Sequence, residues 1–310
     1  MKKFLTSFLL ICLILLVITG VIECLLLTRL NRYSYKSNYV KEHADEIECL
    51  LLGNSHIEEG LIPDSMGTGV FNMAISGRYL VYDAALAQMH VPAMHNLKVL
   101  VVPYEYFEFY LGRNVPTQAK MDTREELSPT IKCMNYKYMG LRVDGFWYWS
   151  EFLNSNEDFM KRFVMRDDQL LNCDSLGYME LKSSSKKNNW KKKGLPDEID
   201  LTKSKDSKLT DQLYKDYETL AKVTKDNGVR LVLLSTPMYR TYRDMMSKEL
   251  MQEMSSHIHA LQVKYPHVEY YDYSSDDRFG DNDFQDASHM TEIGARKFSK
   301  IVKEEILEKY

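Results

Sequence analysis

The sequence predicts an α/β fold, a parallel five-stranded sheet flanked by helices and preceded by one N-terminal transmembrane helix. Three observations predict it. Short, continuous apolar runs recur along the chain, the pattern of strands buried on both faces of a parallel sheet. Helical patterns separate these runs, and an alternation of strand and helix implies right-handed crossovers. Phe4 to Leu27 is apolar almost throughout, and a bilayer core needs about 20 helical residues.

That first segment has Lys2 and Lys3 before it and Glu23 as its only charge. A basic start and an apolar centre also fit a secretory signal, but no small-x-small cleavage site follows, so residues 1–30 read as an uncleaved anchor. Lys2 and Lys3 favour a cytoplasmic N-terminus, whereas Arg29, Arg32 and Lys36 flank the other end. Large domains translocate largely regardless of such charges, and the expectation is a single-pass cell-membrane protein with its main domain outside the cytoplasm. Residues 31–45 are polar and tyrosine-containing, a stalk or a first helix. The main domain, 46–310, then opens.

Five strands are expected within it, at Ile47–Leu52, Val70–Ile75, Lys98–Pro103, Val229–Ser235 and Val268–Tyr271. Helices are expected at Tyr79–Met89, at Leu209–Asn227 with Asn227-Gly228 as its stop, and at Ser247–Val263. A last helix starts at Thr291, a good N-cap, with Ile293, Phe298, Ile301, Val302 and Ile306 on one side. Between the third and fourth strands, about 112–208, no strand pattern is found, and the stretch reads as a helical or loop insertion. It holds an aromatic cluster, "DGFWYWSEF" (Asp144 to Phe152), and a basic run, "KSSSKKNNWKKKG" (Lys182 to Gly194). The basic run reads as a solvated loop or as a contact for acidic headgroups or an anionic polymer.

Composition narrows the function. In 310 residues, 45% hydrophobic and 27% charged, there is material for a substantial core, and a net charge of −4 gives no pull toward nucleic acid. The 21 tyrosines suit sugar-facing surfaces as well as ordinary core and rim. Of the five cysteines, Cys12 and Cys24 fall in the apolar span and Cys49 in a strand. Cys133 and Cys173 can pair in an oxidising compartment, although their spacing does not demand it. "GTGVFN" (Gly67 to Asn72) has Asn72 where a dinucleotide-binding motif needs its third glycine, and no phosphate loop or G-x-S-x-G occurs. His257 and His259 stand two apart, which points them to different sides of a helix. Neither a metal nor a cofactor is expected.

Two stretches remain. "LLLGNSH" ends the first strand in Gly53, Asn54, Ser55 and His56. Open α/β sheets build their sites outside the carboxyl ends of the strands, where a serine can present its hydroxyl and its backbone N–H. "DFQDASHMTEIGARKF" places Asp286 three residues before His289, just ahead of the last helix. On a loop that spacing lets the carboxylate fix the imidazole tautomer, and the other ring nitrogen can serve as base to a serine. Asn54 and His56 flank Ser55, while Tyr104, Glu105, Tyr239 and Arg240 follow strands. All six are candidate substrate contacts, with turn or loop roles as the alternative.

A glycine-x-serine ending the first strand, together with Asp-x-x-His before the last helix, resembles the SGNH (GDSL-type) hydrolase superfamily over roughly Glu46 to Tyr310. The resemblance implies a three-layer, flavodoxin-like sheet with Ser55 as nucleophile, His289 as base and Asp286 as its orienting acid. Asn54 stands where that family more often has Asp, and Thr291 and Gly294 also fit the last block. It further implies an oxyanion hole formed by the N–H groups of Ser55 and of Gly77, in "FNMAISGRY". The family's third block supplies an asparagine side chain to that hole, whereas "PYEYFEF" (Pro103 to Phe109) has none. With its N-terminal anchor, the chain looks more like the membrane-anchored branch that includes the D-alanyl-transfer protein of teichoic acid synthesis and exopolysaccharide O-acetyltransferases.

The resulting expectation is a membrane-anchored serine esterase or O-acyltransferase acting on an acylated cell-envelope glycan or polymer. A membrane acyltransferase is a candidate partner. The rival is a non-catalytic envelope protein that keeps the fold and binds glycan or such a partner, and the absent third-block asparagine favours it.

Overall fold

In a computed structural model, residues 1–28, 32–109, 172–179 and 207–309 are described. Five strands form one fully parallel sheet: β1 (Cys49–Leu51), β2 (Val70–Asn72), β3 (Val99–Pro103), β4 (Arg230–Ser235) and β5 (Val268–Asp272). Their spatial order is β2-β1-β3-β4-β5, with Leu50 registered against Phe71 on one side and Leu100 on the other. The chain winds one way from β1 to β2 and the other way from β3 to β5, so the topological switch falls between β1 and β3. A crevice opens at the carboxyl ends of the strands at such a switch.

Side-chain alternation splits the core into two layers. Leu50, Leu52, Leu100, Val102, Leu231 and Leu233 pack on one face, and Cys49, Leu51, Val99, Val101, Val232 and Leu234 on the other. The first face is covered by α5 (Leu80–His90), α6 (Ser207–Asp226) and α8 (Lys248–Lys264), among others. In α6, Leu213, Tyr217, Leu220 and Ala221 recur at helical spacing and are buried. The second face is covered by α3 (Ser55–Gly60), α4 (Pro63–Met66) and α9 (Glu292–Val302). Between β4 and α8 lies the short α7 (Arg240–Arg243).

The expected strands and helices lie where the apolar patterns place them, with shorter strands. Although the N–H groups of Met73 and Ile75 still donate to the carbonyls of Leu51 and Gly53, β2 ends at Asn72. The Asn72 Nδ2 donates to the carbonyls of Ile57 and Leu61 (3.0 Å each), and its Oδ1 accepts the N–H of Ala74. In α9, Phe298, Ile301 and Val302 face the core, but Ile293 is exposed and does not join them. Gly294 and Ala295 occupy the buried stripe one turn before Phe298, which leaves Ile293 on the outer side.

The N-terminus holds α1 (Lys2–Thr28), a 27-residue helix long and apolar enough to cross a membrane. At 1.5 Å per residue it extends about 40 Å, and its apolar side chains from Phe4 to Val21 are exposed. Residues 31–45, expected as a stalk or a first helix, hold a second helix, α2 (Arg32–Glu42), packed onto the main domain. Tyr33 and Val40 join the core, and Lys36 is fully buried. Of the expected insertion, residues 172–179 and 207–208 are described. The aromatic cluster, the basic run and Cys133, hence the Cys133–Cys173 pairing, lie outside the described residues.

Candidate active site

The turn after β1 is fixed from four sides. Gly53 has φ +134°, and a Cβ there would lie 2.6 Å from Pro103 Cδ, so this close approach of β1 to β3 requires glycine. Its N–H donates to Asp83 Oδ1 (3.1 Å), itself paired with Arg78 (2.7 Å), and its carbonyl accepts the Ile75 N–H. Asn54 caps α3, its Oδ1 accepting the His56 N–H at 2.9 Å. Its Nδ2 donates to Glu108 at 2.7 Å. Ser55 therefore stands at the first position of α3, on a turn with little freedom to shift.

The loop before α9 brings the second half of the site. Asp286 Oδ1 accepts the backbone N–H groups of Ser288 (2.9 Å) and His289 (2.8 Å), which curls 286–289 into a tight turn. The turn is closed by the Gln285 N–H on the His289 carbonyl and anchored by the Tyr239 N–H on the Ala287 carbonyl. Gly294 allows α9 to approach it, since a Cβ there would meet the Asp283 carbonyl at 2.2 Å.

The two halves meet at hydrogen-bonding distance. Ser55 Oγ lies 2.9 Å from His289 Nε2, and His289 Nδ1 lies 3.0 Å from both carboxylate oxygens of Asp286. Burial alone would raise the Asp286 pKa, but the His289 ring and the two backbone N–H groups hold it well below the ordinary carboxylate range. An ionised Asp286 keeps the proton on His289 Nδ1 and leaves Nε2 as the acceptor for the serine proton. All three side chains remain partly exposed.

The remaining candidates divide. His56 is buried beside this triad, its ring edge-on to that of His289 with centroids 4.9 Å apart. Glu105 is buried as well and reaches His56 Nδ1 at 2.6 Å. Gly77 is exposed in the loop after β2, at φ +77°, and neither its N–H nor that of Ser55 is donated to an acceptor among the described residues. Arg240 is exposed and lies over the Tyr239 ring. Three candidates are buried and hydrogen-bonded within the protein. Asn54 is buried with both ends of its amide engaged. Tyr239 is buried against Phe284 and donates to Asp281 (2.7 Å). Tyr104 is buried and donates to the Met254 carbonyl (2.7 Å). Tyr104 and Glu105 instead border a cavity of about 270 Å³ walled by Met238, Met246, Met254 and Ile258, which none of Ser55, Asp286 and His289 lines.

Sequence reasoning missed a buried network under the site. Lys36 Nζ lies 2.9 Å from Glu58 Oε1, and Glu58 Oε2 accepts both the N–H and the Oγ–H of Ser76 at 2.6 Å. Arg32 lies 3.5 Å from the same oxygen. Burial opposes the Glu58 charge, but Lys36, Arg32 and Ser76 bring its pKa down to about 2. α2 is thus keyed to the segment just ahead of Gly77. Glu108 was also missed. Burial pushes its carboxyl up to about 8 against the opposing Asn54 hydrogen bond. Among the described residues, no group of three or more His, Cys, Asp or Glu side chains could hold a metal ion.

No family model matches the chain, and no curated protein matches it. Among solved structures it is similar to a GDSL-like lipase from Bacteroides thetaiotaomicron, at 13% identity and a TM-score of 0.42, covering 90% of this chain and 100% of that one. It is also similar to a Streptococcus pneumonia protein provisionally assigned as a platelet activating factor, at 12% identity and a TM-score of 0.42, covering 93% and 98%. Likenesses this distant leave the functional reading to the geometry of the site.

Proposed function

We propose that the chain is a membrane-anchored serine esterase or O-acyltransferase acting on acyl groups of a cell-envelope glycan or polymer. The observation that carries the proposal is the continuous hydrogen-bonded chain from Ser55 Oγ through His289 to Asp286. A serine hydroxyl is a weak nucleophile until a base takes its proton, and this array supplies an oriented base.

In the reaction, Ser55 Oγ bonds to the ester carbonyl carbon as its proton passes to His289 Nε2. The carbonyl π electrons move onto oxygen, where the N–H groups of Ser55 and Gly77 donate to it. As the carbonyl re-forms, the alkoxide leaves and takes the proton from His289. The acyl-enzyme then passes its acyl group to water or to a sugar hydroxyl, with His289 removing the acceptor's proton. An apolar N-terminal helix would hold this site at the outer membrane face, near envelope polymers and near a membrane acyltransferase that could load it.

The test is labelling of the full-length protein in detergent by a serine-reactive fluorophosphonate. Labelling that is lost in Ser55→Ala and strongly slowed in His289→Ala supports the enzyme. A wild-type protein that never labels favours the non-catalytic, glycan-binding alternative. Screening acetylated sugars as donors, with free sugars as acceptors, separates transfer from hydrolysis.

A further inference from the structure

The site contains a second imidazole–carboxylate pair that the triad does not use. His56 follows the nucleophile directly, and its Nδ1 lies 2.6 Å from Glu105 Oε2. Glu105 is held in turn by the backbone N–H of Thr236 at 3.1 Å and by the Thr236 hydroxyl. Three chain segments, after β1, β3 and β4, thus converge to set one ring. That ring stands edge-to-face with the ring of the base His289, at 4.9 Å between centroids. Its Nε2 makes no hydrogen bond among the described residues. The ring that carries it packs against the ring that lies 2.9 Å from the Ser55 hydroxyl.

Glu105 also occupies the segment after β3 in which a resemblance to the SGNH superfamily calls for an asparagine donor. Resting on the serine-enzyme reading above, we propose that His56 is a further catalytic residue, whose imidazolium Nε2–H, positioned by Glu105, donates to the developing oxyanion in place of that missing amide.

With Nδ1–H directed at Glu105, neutral His56 would carry a lone pair at Nε2, so only the imidazolium can donate there. The groups facing His56 are Glu59 on its own helix, Glu105 and Glu108 after β3, and Asp286 with His289 on the loop before α9. Burial opposes the His56 charge, but Glu105 by charge and hydrogen bond, then Asp286 and Glu59, outweigh it and raise its pKa above the ordinary imidazole value. The two neighbouring imidazoles thereby take opposite roles. His289, with its proton on the Asp286 side, accepts at Nε2, while the imidazolium form of His56 donates. His56 forms no covalent bond and keeps its proton throughout, so the atom balance of the acyl transfer is unchanged.

The experiment uses the full-length protein in detergent with p-nitrophenyl acetate as the probe ester. His56→Phe keeps a flat ring without N–H and is expected to lower kcat by about 100-fold or more, with KM changed less than threefold. His56→Gln restores a neutral donor and is expected to recover at least tenfold of that loss. Wild-type kcat should fall as pH rises through the raised His56 value. That alkaline limb should move to lower pH in Glu105→Gln and vanish in His56→Gln. A folded His56→Phe protein with kcat within threefold of wild type overturns the proposal, and so does an alkaline limb that persists in His56→Gln. If His56→Phe does not fold, the limb in His56→Gln decides. Ser55→Ala in the same assay separates the two levels. If it retains turnover, the serine-enzyme reading falls and takes this inference with it; if only the His56 variants behave as wild type, this inference falls alone.

Discussion

Replacing Lys36 with methionine tests whether the helix after the membrane anchor belongs to the catalytic fold. Lys36 is fully buried, and its Nζ faces Glu58 Oε1 at 2.9 Å. Methionine preserves much of the side-chain volume and removes the charge, which leaves Glu58 buried with a weaker complement. Breaking a buried pair by deleting one partner typically costs about 3–5 kcal/mol. Arg32 remains 3.5 Å from the other Glu58 oxygen, and Ser76 still donates twice, so the expectation lies near the lower figure, about 3 kcal/mol. For a domain of this size that corresponds to roughly 6–12 °C in Tm. The assay is denaturant unfolding of Lys36→Met, Glu58→Gln and the double variant in detergent. Because a neutral pair of similar volume is often as stable as the buried ion pair, the double variant should recover most of the loss, a coupling of about 1–3 kcal/mol. A loss below about 1 kcal/mol, or strict additivity, would refute the claim that Lys36 and Glu58 lock α2 onto the site.

Glu108→Gln should stabilise the protein at alkaline pH only. The Glu108 carboxyl sits at about 8 when folded against an ordinary value of 4.5, so the wild type loses stability progressively between those pH values while the variant does not. At about 1.4 kcal/mol per pKa unit the gain above pH 8 is at most about 4–5 kcal/mol and disappears near pH 4.5; a gain independent of pH in unfolding titrations would contradict it. Gly53→Ala should destabilise by about 1–3 kcal/mol from its backbone conformation alone. Esterase turnover should fall at least tenfold as well, because a Cβ 2.6 Å from Pro103 Cδ displaces the turn that carries Ser55. Asp286→Asn leaves the loop size unchanged but favours the wrong His289 tautomer, and kcat for an activated ester should drop by about 10³–10⁴; a loss below tenfold would argue against His289 as the base.

The parts legible in the sequence are those written locally. Strands such as "VLVV" and "RLVLLS" announce themselves because burial on both faces demands an unbroken apolar run, and Thr291 marks the start of α9 because its cap is chemistry within one turn. Ser55, Asp286 and His289 could be paired on paper because each half of the site is compact and both fall at strand or helix ends. What stayed hidden depends on partners far away in the chain. A lysine in "RYSYKSNY" reads as solvated, and its burial follows only from Glu58, 22 residues on. Glu105 and Glu108 look like ordinary loop acids until β1 and β3 pair and bring His56 and Asn54 against them. The hydroxyl of Tyr104 is likewise held by a carbonyl of α8, 150 residues on. Ile293 shows the converse error, an apolar residue assigned to the core although the buried stripe runs through Gly294 and Ala295.

The central claim is that Ser55 forms an acyl-enzyme with His289 as its base. Its most direct test is intact-protein and peptide mass spectrometry after brief exposure of the full-length protein to an activated acetyl ester, quenched in acid. The account predicts one added acetyl group on the peptide carrying Ser55, absent in Ser55→Ala and formed far more slowly in His289→Ala. Acetyl found only on other residues, or at equal rates with and without His289, would contradict it.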